Sequence, residues 1–122
     1  MKDMEPLNQM VEYALLFDFY GALLKEKNSS IFEDYMFNDM SLSEIAEEEG
    51  MTRQGVRDIV KRSGDKLIEY EEKLGLIKRF NSAKKSACRI KEETSKIKGI
   101  SGDVDMCLIE IDKMTDRILD EL

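Results

Sequence analysis

The stretch "SLSEIAEEEGMTRQGVRDIVKR", residues 41–62, decides the fold, because it reads as two short helices separated by one glycine. Ser41 followed by Glu44 is a capping box, in which the hydroxyl and the carboxylate each accept a backbone hydrogen bond in the first turn. Gly50 suits the left-handed residue that ends this first helix, and Thr52 suits the cap of the next. The stretch therefore predicts two helices whose ends are set by local chemistry.

The apolar residues of this stretch have the spacing of a helix-turn-helix. Two helices that cross steeply need a small residue at the crossing and apolar contacts on both sides. The first helix, predicted over 42–49, carries Ile45 as its inward anchor and Ala46 as the small residue, and only Glu49 departs from the usual apolar pattern. The turn and the second helix complete the set with Met51, Val56 and Ile59. The spacing predicts a helix-turn-helix over 41–62.

The outward face of the second helix is polar and basic. Arg and Gln near the start of such a helix can bond bidentately to guanine or adenine edges, and Thr and Lys can contact phosphate. Candidate nucleic-acid-binding residues are therefore Thr52, Arg53, Gln54, Arg57, Lys61 and Arg62.

Acidic side chains close to this face weaken the attraction for phosphate. Asp58 lies on the same face, and three successive glutamates, 47–49, come just before the turn. From Arg53 to Arg62 there are four cations and one carboxylate, so the local attraction for phosphate is small. The few contacts to phosphate would be lost quickly as the salt concentration rises. A helix that faces solvent or another protein therefore stays open as the alternative.

The composition favours an all-α protein and limits how it can meet nucleic acid. The 122 residues include one proline and are 42% hydrophobic and 37% charged, which is typical of long helices. The net charge of -7 repels phosphate at long range, so the chain is not expected to coat DNA or an anionic membrane. Any contact with nucleic acid must be local.

The chain before the helix-turn-helix predicts two more helices. Pro6 suits the first residue of a helix, and apolar residues then recur as far as Leu24. The stretch "KEKNSS", residues 25–30, is expected to end that helix, with Ser29 or Ser30 capping the next. We predict a helix-turn-helix domain over 1–74 of three to four helices and no wing.

The chain after Gly75 predicts a helical hairpin. Apolar or small residues recur there with a seven-residue period, "KGISGD" at 98–103 interrupts it, and Asp103 is expected to cap the last helix. This C-terminal extension over 75–122 would pack on the first domain or on a partner, and the same apolar stripes could instead form a homodimer.

Residues for catalysis or metal binding do not form a recognisable pattern. The chain has no histidine, and Cys88 and Cys107 lie too far apart for a CxxC motif, so no metal or cofactor is predicted. It also has no glycine-rich phosphate loop and no credible nucleophile and base pair. No stretch is apolar and long enough to span a bilayer. We expect a cytoplasmic protein with free thiols that is not an enzyme.

Three stretches resemble the YlxM-type family of helix-turn-helix proteins of low-GC Gram-positive bacteria: "LLFDFYGALL" at 15–24, "DMSLSEIAEEEGMTRQGVRDIVKR" at 39–62 and "YEEKLGLIKRF" at 70–80. The likeness is strong from about Tyr13 to Phe80. It implies an all-helical fold whose middle is similar to the DNA-binding fourth region of bacterial sigma factors. This sequence departs from the family at Gly55, where alanine is usual, and at Arg57, where an aromatic residue is usual.

The resemblance also implies partners. It implies DNA, held by the side chains on the recognition side of the second helix. Genes of the family lie beside those of the signal recognition particle GTPase and its receptor, which implies a part in that pathway with components of the particle. The alternative is an adaptor that keeps the helix-turn-helix scaffold and binds a protein of the pathway without binding nucleic acid.

Overall fold

The structure is a computed structural model that describes residues 6–122, with side chains from Gln9 onward. Over that range the chain forms helices and no strand, which confirms the predicted all-α fold. A single-turn 3-10 helix follows the first α-helix. The α-helices are α1 (Pro6–Tyr20), α2 (Glu26–Met36), α3 (Leu42–Glu49), α4 (Arg53–Leu74), α5 (Leu76–Lys96) and α6 (Gly102–Glu121), and the 3-10 helix is Gly21–Leu23.

The chain divides into two compact units, one that ends at Ile77 and one over Lys78–Leu122. Of the predicted first domain, residues 1–5 lie outside the described residues. The core of the first unit consists of two apolar clusters that share α2, because Phe32 belongs to one and its neighbour Ile31 to the other. The first cluster comprises Leu16, Tyr20, Leu24, Phe32 and Leu67, and the second Ile31, Ile45, Ala46, Val56 and Ile59.

The caps predicted around the helix-turn-helix are confirmed. Ser41 Oγ accepts from the backbone N–H of Glu44 at 3.1 Å, and the Glu44 carboxylate accepts from the backbone N–H of Ser41 at 3.2 Å. Gly50 has a φ of 66°, in the left-handed region that favours glycine. Thr52 Oγ1 accepts from the backbone N–H of Gly55 at 3.0 Å. The start and end of α3 and the start of α4 are thus fixed locally.

The predicted cap of α2 is wrong, because Ser29 and Ser30 lie inside that helix. The N-cap is Lys25, whose carbonyl accepts from the backbone N–H of Ser29 at 2.8 Å. The chain becomes extended at Leu24, a core residue, and the helix can therefore begin directly after it. Glu26 then lies in the first turn, where a carboxylate favours the helix dipole. The stretch 25–30 starts a helix instead of ending one.

The predicted cap of the last helix is also wrong by two residues. Ser101 is the N-cap of α6, since its Oγ accepts from the backbone N–H of Val104 at 3.1 Å. Asp103 lies in the first turn, where its charge favours the helix dipole. A second carboxylate, that of Asp105, accepts from the backbone N–H of Gly99 at 2.9 Å and holds the loop before the helix.

The second unit is the predicted hairpin of antiparallel helices. Lys91 Nζ lies 2.6 Å from Asp116 Oδ1, and Thr94 Oγ1 donates to Asp112 Oδ1 at 3.0 Å. The ion pair raises the pKa of Lys91 through its hydrogen bond to Asp116. The buried positions between the two helices are mostly small: Ala87, Thr94, Leu108 and Thr115. In the described residues no helix is long and apolar enough to cross a membrane.

A hydrogen-bond network joins the ends of α1 and α4 to the start of α5. The hydroxyl of Tyr20 donates to Glu71 Oε1 at 2.5 Å and accepts from the backbone N–H of Leu76 at 3.1 Å. Glu71 Oε1 also accepts from the backbone N–H of Ile77 at 3.0 Å. The network thus satisfies two N–H groups that a helix start leaves without intrahelical acceptors. Burial, followed by the hydrogen bond to Glu71, raises the pKa of Tyr20.

Candidate nucleic-acid interface

The first ten residues of α4 form the second helix of the helix-turn-helix, with one side buried and the other in solvent. Val56 is 0% and Ile59 8% exposed, and Ala46 of α3 is 5% exposed where the two helices meet. Packing of these three residues leaves the opposite side of α4 free. The structure places all six predicted site residues at exposed positions, namely Thr52, Arg53, Gln54, Arg57, Lys61 and Arg62.

Helical spacing arranges the exposed side chains of α4 in two rows. Residues four apart lie on the same helix face, so Arg53, Arg57 and Lys61 follow one another, and we call them the basic row. Gln54, Asp58 and Arg62 follow one another beside it, and we call them the mixed row. The surface therefore presents three successive cations next to a row that contains one carboxylate.

The basic row is not neutralised by carboxylates within the described part of the chain. No ion pair there involves Arg53, Arg57 or Lys61. Glu47 and Glu48 of α3 are exposed, and no ion pair of the described residues includes them. The three cations therefore keep their hydrogen-bond donors available for an external acceptor.

The mixed row is held by internal hydrogen bonds. Gln54 Nε2 donates to Asp58 Oδ1 at 2.9 Å, and Arg62 Nε donates to the backbone carbonyl of Asp58 at 3.4 Å. The amide of Gln54 can bond bidentately to adenine only after it releases Asp58. Gln54 therefore has to rearrange before it can contact a base.

Thr52 has a structural role that sequence position alone does not separate from a phosphate contact. Because its hydroxyl caps α4 by accepting from Gly55, we expect Thr52→Ala to lower the free energy of unfolding by about 1 kcal/mol. Urea denaturation followed by circular dichroism measures this loss. Thr52→Ser keeps the acceptor oxygen and should retain most of the stability. An equal loss in both variants would contradict the role of the hydroxyl as the cap.

Gly55 leaves little space around that cap. A Cβ at this position would lie 3.1 Å from Thr52 Oγ1 and 3.4 Å from the terminal methyl carbon of Met51. The glycine itself lowers helix stability by about 1 kcal/mol relative to alanine. The first turn of α4 is therefore less rigid than an alanine would make it, and the cap oxygen is correspondingly less crowded.

Sequence reasoning missed a pocket on the same helix, which we call the Ser63 pocket. Residues from the 3-10 helix, the start of α2 and the middle of α4 enclose about 340 Å³. Its only signal in the sequence is Ser63, a polar residue on the inward side of α4 between the core residues Ile59 and Leu67. The lining residues are Leu23, Leu24, Lys25, Asn28, Ile59, Arg62, Ser63 and Lys66.

Comparison with known proteins identifies similar chains. A family model described as "Putative helix-turn-helix protein, YlxM / p13 like" matches residues 7–106. A UPF0122 protein of Caldanaerobacter subterraneus subsp. tengcongensis is 54% identical over 78 residues, which cover 64% of this chain and 67% of that protein. A UPF0122 protein of Acetivibrio thermocellus is 38% identical over 112 residues, 92% of each chain. No solved structure matches.

Proposed function

Since the chain belongs to the UPF0122 family of YlxM/p13-like helix-turn-helix proteins, we propose that it is a regulatory protein that binds DNA through α4. The observation that carries this proposal is the basic row, whose three cations have no carboxylate partner among the described residues. Arg53 and Arg57 would contact base edges, and Lys61, Arg62 and Thr52 would contact phosphate.

The acidic charge of the chain does not prevent such a contact, because salt shortens the reach of distant charges. At physiological ionic strength the screening length is about 8 Å, so phosphates beside α4 respond mainly to the charges of that face. The cations there outnumber the carboxylate of Asp58. The net charge of -7 still lowers the rate of approach. Because cations that contact phosphate release counterions, affinity should fall as the salt concentration rises.

The charge pattern also favours a second candidate, an adaptor that uses the same scaffold to bind a protein. The hydrogen bond between Gln54 and Asp58 and the glutamates of α3 disfavour phosphate on part of the surface. For either candidate we propose a part in the signal recognition particle pathway, in the cytoplasm, and the support for that pathway is the family resemblance alone.

A binding titration separates the two candidates. We expect duplex DNA to bind at micromolar protein and low salt, and Arg53→Ala with Arg57→Ala to weaken it by about tenfold per arginine. The matched control, Lys96→Ala with Lys113→Ala, removes the same charge from exposed positions of the second unit and should bind like the unmodified chain. Fluorescence anisotropy with labelled duplex, and in parallel with the RNA of the particle, measures both.

Absence of nucleic-acid binding by the unmodified chain would overturn the proposal. If neither nucleic acid binds at micromolar protein and low salt, DNA binding is abandoned. Capture of a pathway protein that survives the two arginine substitutions would then favour the adaptor. Equal weakening by the arginine and the lysine variants would show that net charge, and not the face of α4, controls binding.

A further inference from the structure

We infer that the Ser63 pocket is a binding site for a phosphate group. The pocket lies within the first unit, and its walls come from two stretches that are distant in the sequence, residues 23–28 and the middle of α4. Its apolar floor is formed by Leu24 and Ile59, both core residues. The polar groups above that floor are cationic or neutral, which is the chemistry that a phosphate requires.

All charged side chains that line the pocket are cations. Lys25, Arg62 and Lys66 line the pocket, and no carboxylate does. None of the three forms an ion pair within the part of the chain that the structure describes. Glu69 lies one turn from Lys66 and interacts with it electrostatically, but its hydrogen bond goes to Lys73. In a chain of net charge -7, three cations around one concavity that form no ion pair favour an anionic ligand.

A buried hydroxyl without a protein partner opens into the same space. Ser63 is 3% exposed and lines the pocket, yet its hydroxyl has no hydrogen bond among the described residues. No side-chain polar atom that is fully closed off in this part of the chain lacks a partner, so the hydroxyl must face the pocket opening. The hydroxyl is therefore accessible to a ligand in the pocket, and a phosphate oxygen would accept its hydrogen bond.

The start of α2 contributes Lys25 and Asn28 to this wall. Its N-cap, Lys25, makes no side-chain capping bond, so the first N–H groups of the helix lack a protein side-chain acceptor there. Asn28, in the same first turn, lines the pocket and carries an amide donor. A helix N-terminus attracts anions through these N–H groups and its dipole. It acts here together with the cations and with the hydroxyl of Ser63.

The wall opposite α4 is fixed before a ligand arrives. The backbone N–H of Leu24 donates to the carbonyl of Gly21 at 3.2 Å. Since Leu24 is also part of the core, this turn and the apolar packing together hold the chain that leads into α2. The site needs little reorganisation, which favours affinity.

Two sources could supply the phosphate. Arg62 belongs to the pocket and also to the exposed face of α4, so a backbone phosphate of bound nucleic acid could enter it. A small phosphomonoester could enter as well, and in that case the site does not depend on the proposed function. Both share the same chemistry, and the test below separates them.

The test is an NMR titration of the ¹⁵N-labelled full chain at constant ionic strength with three probes: inorganic phosphate, adenosine monophosphate and a short DNA duplex. We expect saturable shifts of the backbone amides of Asn28, Ser63 and Lys66. Lys25→Ala with Lys66→Ala should weaken binding by about tenfold or more, as expected for lost charge-assisted hydrogen bonds. The control Lys96→Ala with Lys113→Ala should bind phosphate as the unmodified chain does.

Each outcome is decisive. Saturation by phosphate and by adenosine monophosphate supports a small-ligand site, even if the duplex fails to bind and the proposed function falls. Saturation by the duplex alone supports a binding site for a backbone phosphate of nucleic acid. Absence of a saturable shift with all three probes, or equal weakening in the pocket and control variants, overturns the inference. Ser63→Ala, which keeps the cations, should weaken binding by a smaller factor than the double lysine variant.

Discussion

Phe32→Ala lowers the free energy of unfolding by about 3–5 kcal/mol, the range for removing a large aromatic side chain from a core. Phe32 is 1% exposed on α2. Its ring stacks on that of Phe17 with centroids 5.8 Å apart, and it meets Tyr13 and Phe37 edge to face at 5.9 Å and 6.1 Å. The substitution removes all three ring contacts together and leaves a cavity between α1 and α2.

Chemical denaturation followed by circular dichroism measures the effect of Phe32→Ala. Because native domains are stable by only about 5–15 kcal/mol, the variant should be close to unfolding at room temperature. Tyr35→Ala is the matched control, since Tyr35 lies on the same helix and is 39% exposed. Its loss should be much smaller. Similar losses in both variants would contradict the description of Phe32 as a core residue.

Tyr20→Phe is expected to lower the free energy of unfolding by about 1.5–3 kcal/mol, as for the loss of a hydrogen bond to a charged group. The buried hydroxyl donates to Glu71 and accepts from Leu76, so its removal leaves one N–H of α5 without an acceptor. Tyr70→Phe is the control. The hydroxyl of Tyr70 has only a long contact of 3.5 Å to Leu23, and its loss should change stability little.

The same substitution should change how stability depends on pH. Burial raises the pKa of Tyr20 above its ordinary value of 10.0, so folding favours the protonated hydroxyl. Its contribution is complete below about pH 10, the pKa of an unfolded tyrosine, and is lost as the pH rises through the folded pKa. Tyr20→Phe should therefore make the alkaline decline in stability shallower. A decline as steep as in the unmodified chain would contradict this.

Local chemistry explains which parts of the fold could be predicted from the sequence. The box of Ser41 and Glu44, the glycine at 50 and the cap at Thr52 each act within four residues, so their structure follows from neighbouring side chains. The cap of α2 was misplaced because tertiary packing of Leu24 determines where the chain extends. Ser29 has the right side chain for a cap, but that packing starts the helix before it.

The candidate site likewise has a part that follows from local sequence and a part that depends on tertiary packing. The two rows of α4 follow from the period of one helix once its inward residues are known, and they were therefore predictable. The Ser63 pocket needs Lys25 and Asn28 to meet Arg62 and Lys66 across elements that pack only in the folded chain. Ser63, a polar residue among the apolar residues of one face of α4, indicates that this position is unusual. It does not indicate which residues of other elements lie opposite it.

The length of α4 has a mechanical consequence. Its 22 residues form one continuous helix from Arg53 to Leu74, a rod of about 33 Å at the usual rise per residue. At its far end, Glu71 is tied to Tyr20 and to the first turn of α5. When one end of a straight helix tilts, the other end moves with it. A ligand that tilts the Arg53 end of α4 is therefore expected to strain or shift the contacts of Glu71 at the far end. A fluorophore attached near Leu74 would then register an event that takes place some six helical turns away.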